Sequence, residues 1–532
     1  MASRHRLPRA PAVPSVTTAA VATRHTVTVG DEPLSLERFA AVCAGSPIAV
    51  SQAALARAAR AANQLAAVVD SGATVYGVTT AYGAESGRRI PPAARPAFQL
   101  ATVRSHACGS GPPLDRLLAR GCWLAKLCSL ATGRSGASVA LVQQLVAVLN
   151  AGLAPHVPAS GSLGASGDLI PSGHAALPLV GEGTAFDPDG APVSGASALA
   201  LAGVGPLVLG PRDGLSLVNG TAATTSIAAH ACLGLERHLL LAEVVAAAGL
   251  VAIGGHLEAF SPLFSDARPQ PGVAQSAERV RALARDAVPS GSTLHDPYAW
   301  RCLPQVHGAA RSAAAWARQI CEAELASCTD NPLVDDGGNV RSGGNFHGAP
   351  LGLASDTLVL ATGQVAALSR QRLAFLTRTD RGARIDRGDG GLEGTMLLTS
   401  ATAALLELAS TGPATPHWLP VDDVEDHVSN STLAARRAMD ALARCRHVLA
   451  CETVATARHL SATSPPPSPV AAALVDLVAA TEHTAGTPAG ALEDLGSRLD
   501  ELVARLAPPD RTATPPGRRP ADAPTPPHGP SR

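Results

Sequence analysis

The sequence predicts a mainly α-helical protein: a large multihelical bundle with a smaller N-terminal portion that carries a tyrosine-bearing loop and minor β structure. Three observations predict this. Long proline-free stretches place Ala, Leu and Val at helical spacing. Some of them, Ser226 to Leu250 above all, are apolar nearly all round, as suits helices at the centre of a bundle. Strand-like alternation is confined to short segments. At 532 residues the chain exceeds one ordinary domain, and one or two globular units are expected.

In chain order, residues 1–26 contain four Arg and no acid. Their prolines spoil an amphipathic helix and no secretory apolar core is present, so a disordered leader is expected. Val27 to Leu36 alternates like a short strand. Helical spacing follows over Ser51 to Asp70 and Ser135 to Ala151, and Gly183 to Val193 reads as a Gly/Pro hairpin. An N-terminal portion is assigned to 27–210 and a central and C-terminal bundle to 211–507. The bundle's helical stretches are Ser216 to Leu250, Ala309 to Ala326, Ser355 to Leu376 and Ser429 to Thr463. The last segment, 508–532, holds nine prolines and is expected to be disordered, because it lacks the apolar surface that would offset ordering.

Charged residues make up 16% of the chain and the net charge is -1, which offers no basic field for nucleic acid. A small-molecule partner is expected. The ten cysteines form no Cys-x-x-Cys pair and no metal-like spacing with histidine, so they read as reduced, mostly buried thiols, with no metal and no nucleotide cofactor. The apolar run Val244 to Ile253 is too short for a bilayer span of about 20 residues. The expected setting is cytoplasmic, without membrane contact.

The residues with chemical potential fall at breaks between helices, where a rigid scaffold can present them. These breaks carry Tyr76 to Gly83, Arg104 to Gly109, Val218 to Thr221, Asp296 to Arg301, Ser342 to His347 and Val424 to His427. All three tyrosines, Tyr76, Tyr82 and Tyr298, lie in them. Each also has a structural reading. Tyr76 plugs a turn or acts as a general base; Asn219 caps a helix; Arg301 clamps a carboxylate or pairs at the surface; Asn345-Phe346 is a tight turn with a core phenylalanine. His106 is a hydrogen-bonded structural histidine or a ligand-binding one. Glu425 belongs to an Asp422-x-x-Glu425 capping box opening the last long helix, or to a pocket.

The remaining break, Gly161-Ser-Leu-Gly-Ala165-Ser166-Gly167-Asp168-Leu-Ile-Pro171, holds a tripeptide able to make an electrophile, which ordinary side chains do not supply. Attack of the Gly167 nitrogen on the Ala165 carbonyl, with loss of two waters, closes an imidazolone whose exocyclic methylene comes from Ser166. Ala165 offers an uncrowded carbonyl, Gly167 an uncrowded nitrogen and a permissive backbone. A second copy, Ala159-Ser160-Gly161, shows that the tripeptide alone does not decide the matter.

Taken together and in this order, the motifs between Thr28 and Leu460 resemble the aromatic amino acid lyase family, and its histidine branch most. The resemblance selects Ala165-Ser166-Gly167 as the precursor of a self-formed 4-methylidene-imidazol-5-one. It implies that Tyr76 removes the β proton, Asn219 and Tyr298 line the electrophile, Arg301 holds the substrate carboxylate, and Asn345 and Phe346 border the substrate. It also implies a homotetramer whose sites draw loops from more than one subunit. Ser105-His106 and Glu425-Asp-His-Val-Ser429 resemble the histidine branch, so elimination of ammonia from L-histidine to give urocanate is expected. His106 and Glu425 would satisfy the two imidazole nitrogens, one accepting and one donating, where a phenyl ring could satisfy neither.

The chain departs from the family at Ala81, Ala222, His295 and Val424, and over Glu407 to Pro420. Val424 and Ala222 enlarge and dry their surroundings, and His295 adds a titratable group. Two alternatives stay open: a phenylalanine or tyrosine ammonia-lyase or aminomutase, and an inactive helical paralogue.

Overall fold

The computed structural model describes residues 25–289, 294–378, 392–416, 425–461, 468–484 and 488–506. The expected leader up to residue 24, the expected tail from 508, and Asp422, Asp423 and Val424 lie outside them.

Helices dominate, and their starts follow from side chains that replace missing helical acceptors. Ser51 opens Gln52–Asp70 by accepting from the Ala54 N–H at 3.1 Å, and Ser138 opens Val139–Asn150 in the same way through Leu141. The central helix, Ala222–Ile253, is buried over most of its length, as its all-round apolar surface predicts. Around it pack Arg116–Ala131, Leu303–Leu325, Ala349–Leu376 and Ser431–Ser461. One hydrophobic cluster runs through this assembly from Val27 to Leu502.

The β structure is minor. Val27–Val29 pairs in parallel with Ile48–Val50, and Thr184–Phe186 pairs with Pro192–Ser194 where the hairpin was expected. Ser110–Pro113 pairs antiparallel with Pro158–Ser160, just ahead of the Ala-Ser-Gly turn.

The long helices set two ends to the molecule. At one end the first turns of the central helix and of Ser431–Ser461 meet, with Thr224 and Thr432 hydroxyls 2.9 Å apart. His347, just ahead of Ala349–Leu376, meets His427 at 3.0 Å at the same end. Leu303–Leu325 runs the opposite way and arrives there with Glu324, which accepts from the Thr221 hydroxyl at 2.5 Å. At the far end the short helix Tyr298–Arg301 is anchored by its own Trp300, whose indole N–H donates to Ala246 O of the central helix at 3.1 Å. Between Ala222 and Ala246 the central helix rises about 36 Å at ~1.5 Å per residue.

Ser216 to Leu250 has continuous helical spacing, but the structure breaks it into Asp213–Val218 and Ala222–Ile253. The break falls at Asn219-Gly220-Thr221, where Gly220 takes φ 96° and its carbonyl accepts from Asp168 N–H at 2.7 Å. A tertiary contact therefore overrides local helical preference.

Ala349–Leu376 is long and apolar enough to cross a membrane, but 61% of its apolar window is buried inside the fold. It is a core helix. All ten cysteines are unpaired and eight are buried, with Cys302 half-buried and Cys108 exposed.

Candidate active site

The Ala-Ser-Gly turn sits between two backbones that leave it little choice of shape. Ser166 takes φ 53°, a left-handed conformation few non-glycine residues adopt, and Gly167 follows at φ 84°. A side chain at Gly167 has no room, since a Cβ there would lie 2.3 Å from Gly220 O. Gly220 N–H donates to Ser166 O at 3.3 Å, and Asn219 Nδ2 donates to the same oxygen at 3.4 Å. Asn219 is 4% exposed, and its Oδ1 is buried with no hydrogen-bond partner among the described residues. Gly164 and Gly167 bridge across the turn, bringing its two limbs together around Ala165 and Ser166. This tight, small-residue arrangement fits the cyclisation expected of Ala165, Ser166 and Gly167.

Beneath the turn lies a layer of buried charge. Asp168 is fully buried, and its carboxylate accepts from Thr224 N–H (2.7 Å), the Thr224 hydroxyl (2.7 Å) and the Thr432 hydroxyl (2.6 Å). Burial raises its pKa above the usual carboxylate range, against the lowering effect of those hydrogen bonds and of Lys126. Lys126, 4% exposed, donates to Ser216 O at 2.7 Å and to Asn219 O, and so satisfies the carbonyls that end Asp213–Val218. Burial lowers its pKa. Among the described residues no group of three or more His, Cys, Asp or Glu side chains could hold a metal ion.

The Ser166 hydroxyl donates to Glu425 Oε1 at 3.3 Å, although 259 residues separate them. Ser431–Ser461 begins six residues after Glu425, because Asn430 takes φ 49° before it. Glu425 therefore lies outside that helix, which corrects the capping-box reading. The segment is held against the turn by Asn430 N–H on Leu163 O (3.0 Å) and the Ser429 hydroxyl on Gly164 O (3.4 Å).

The tyrosine loop is anchored nearby. Fully buried Gln99 donates to Gly77 O at 3.0 Å and accepts from Leu215 N–H at 3.1 Å, one helical turn ahead of Asn219. Within the loop the two tyrosines differ. Tyr82 is stacked on Phe98 and bonded to the Thr102 hydroxyl at 2.8 Å, and burial pushes its pKa up to about 12. The Tyr76 hydroxyl instead accepts from Gly83 N–H at 3.1 Å.

His106 ends the helix Arg95–His106 and packs its backbone and Cβ on Gly173, where a Cβ would lie 2.8 Å from the His106 carbonyl carbon. Its Nδ1 is 2.7 Å from Thr102 O, which can only accept, so Nδ1 carries the hydrogen and Nε2 of the neutral ring is an acceptor. Asn345 is exposed and donates to Cys328 O at 3.3 Å, Phe346 is half-buried, and the next residue, His347, meets His427.

Tyr298 and Arg301 stand apart. Tyr298 is 70% exposed and the Arg301 guanidinium lies 6.0 Å from its ring centre. Both belong to the far end of the central helix, which rises about 36 Å between Ala222 and Ala246 at ~1.5 Å per residue. The structure thus brings Ser166, Asn219 and Glu425 into contact and sets Tyr76 and His106 on adjoining elements, but separates Tyr298 and Arg301 from all of them. Gln99 and Lys126 were not among the expected site residues. Their one signal is a polar side chain inside an otherwise apolar helical stretch, as in Trp123-Leu-Ala-Lys126-Leu-Cys.

The family model for aromatic amino acid lyases matches residues 34–480. A histidine ammonia-lyase of Gloeobacter violaceus is 37% identical over 443 residues, covering 80% of this chain and 86% of its own. One of Streptomyces coelicolor is 35% identical over 474 residues, covering 86% and 92%. Among solved structures, tyrosine aminomutase from Streptomyces globisporus superposes with a TM-score of 0.85 at 29% identity, covering 91% of this chain and 99% of that one. Histidine ammonia-lyase from Trypanosoma cruzi superposes at 0.82 with 27% identity, covering 91% and 96%.

Proposed function

The chain belongs to the aromatic amino acid lyase family, and on that premise we propose that it eliminates ammonia from L-histidine to give urocanate, using an electrophile formed from Ala165, Ser166 and Gly167. One observation carries the reading: the Ser166 hydroxyl faces Glu425 at 3.3 Å while Asn219 holds the Ser166 carbonyl. The residue that would become the methylene and the carboxylate that would read an imidazole share one pocket.

The closed ring, when formed, supplies an electrophilic carbon that turns the substrate amine into a leaving group. The protein's residues do the rest. Tyr76 takes the β proton; the Gly83 N–H on its oxygen stabilises the phenolate that does so. Burial pushes the Tyr82 pKa up to about 12, which disfavours it in that role. With its Nδ1–H directed at Thr102 O, the His106 ring offers Nε2 to the substrate, and the Glu425 carboxyl offers the second polar contact. Between them these two groups can meet both nitrogens of an imidazole.

Tyr298 and Arg301 serve the electrophile of another copy of the chain, within a homotetramer. The 36 Å gap (~1.5 Å per residue over the central helix) supports this, as does their exposure. Exposed Leu353 and Leu360, two turns apart on the core helix Ala349–Leu376, and Met396 and Leu406 on Leu392–Ser410 supply apolar surface for other copies to cover. The test is to incubate the purified protein separately with histidine, phenylalanine and tyrosine, following the absorbance of the conjugated product and identifying it by chromatography. Urocanate from histidine is expected. Turnover of phenylalanine or tyrosine but not histidine, or a β-amino acid as product, would overturn the substrate or the reaction type.

A further inference from the structure

The short helix Tyr298–Arg301 cannot set its own position. One turn of helix is unstable alone, and its outer residues, Tyr298 and Arg301, are exposed. Its inner residues do the anchoring. Trp300 is fully buried, bonds Ala246 O, and meets Phe375 edge-on at 5.4 Å. Ala299 offers its carbonyl to Arg372 Nη1 at 3.3 Å.

Arg372 is in turn held in a fully buried fork. Its Nε and Nη2 donate to the two oxygens of Glu452 at 2.5 and 2.9 Å, and the Ser369 hydroxyl donates to Glu452 Oε2. Both side chains are 0% exposed. A planar guanidinium paired on one edge keeps a fixed direction for its remaining nitrogen. Here that nitrogen points at the backbone of the Tyr298 helix. A buried ion pair is a poor source of stability compared with apolar residues of the same volume, so its presence calls for another account.

We propose that Arg372 and Glu452 are positioning residues that fix the Tyr298–Arg301 helix through the Ala299 carbonyl, and so set where Arg301 holds the substrate carboxylate. The inference rests on the role proposed above for Arg301. The strut joins Ala349–Leu376 to Ser431–Ser461, so the helix is referenced to two core helices rather than to the loop that precedes it.

Two variants of the full-length protein test it. Arg372→Met with Glu452→Met removes the strut without stranding a buried charge. Arg372→Lys keeps a cation beside Glu452 but loses the fork that aims a donor at Ala299. Each is measured for thermal unfolding, for the two-water mass loss of the electrophile, and for kcat and KM with histidine, alongside Arg301→Lys. The expected result for both Arg372 variants is a folded protein with the mass loss intact and a KM raised roughly tenfold or more, from misplacement of the carboxylate clamp, with a smaller change in kcat. A KM equal to wild type in either folded variant overturns the strut. If Arg301→Lys raises KM and neither Arg372 variant does, the strut alone falls; if Arg301→Lys also leaves KM unchanged, the carboxylate assignment falls with it.

Discussion

Co-expressing Ser166→Ala and Arg301→Met chains with different affinity tags, and purifying the assemblies that carry both, asks whether one site is built from two copies. Each parent alone should be nearly inactive: the first has no hydroxyl to eliminate, and the second loses a charge-assisted clamp worth about 1.5–3 kcal/mol. If Tyr298 and Arg301 serve a neighbouring copy's electrophile, a working site needs intact Ser166 from one chain and intact Arg301 from another. Under random assembly each condition is met half the time, so about one quarter of the sites should regain wild-type turnover. If both residues came from the same chain, every site would carry one defect and nothing would return. The assay is the rate of urocanate formation by the doubly tagged material. Activity no higher than that of the better parent would refute the argument from the 36 Å separation (~1.5 Å of rise per residue along the central helix).

Glu425→Gln should lower kcat/KM for histidine at least roughly tenfold, the loss of a charge-assisted bond of about 1.5 kcal/mol or more, while Tm stays put because Glu425 precedes Ser431–Ser461; a lowered Tm with normal turnover would restore a structural role. Gly167→Ala should give a chain with the unmodified sequence mass, because its Cβ would lie 2.3 Å from Gly220 O; a variant two waters lighter would contradict that reading of the turn. Fully buried His230, His238 and His307 all have pKa values below the ordinary 6.5 through burial, His238 near 3. The unfolded chain therefore binds protons that the folded one refuses, so their contribution to stability is complete above about pH 6.5 and is lost as pH falls through the folded values. Tm measured from pH 8 to pH 4 should decline below about pH 6.5, and His238→Leu should flatten the decline; an unchanged slope would remove His238 from the account.

The Ala-Ser-Gly turn and the central helix were legible in the sequence for different reasons. The turn was marked out by the motifs around it, because Ala-Ser-Gly itself occurs twice in the chain, and a helix apolar on every face has no place except the centre. Glu425 was ambiguous because a run of acids resembles a helix start, and only the left-handed Asn430 reveals that the helix begins later. Gln99 and Lys126 were missed because a polar residue in an apolar helix is identical, on paper, whether it meets water or a backbone carbonyl. The separation of Tyr298 from Asn219 was hidden for a related reason: sequence order does not say to which end of a long helix a loop returns. The strut between Arg372 and Glu452 spans 80 residues and two helices, with no local signal at either end.

On the function proposed above, Ala165, Ser166 and Gly167 leave the ribosome as an ordinary tripeptide and become an electrophile in this fold. High-resolution mass spectrometry of the purified chain, and of the proteolytic peptide spanning Gly161 to Pro171, tests it without reference to any substrate. The expected peptide is lighter than its sequence by two waters, with no such loss in Ser166→Ala. A peptide at its plain sequence mass would contradict it.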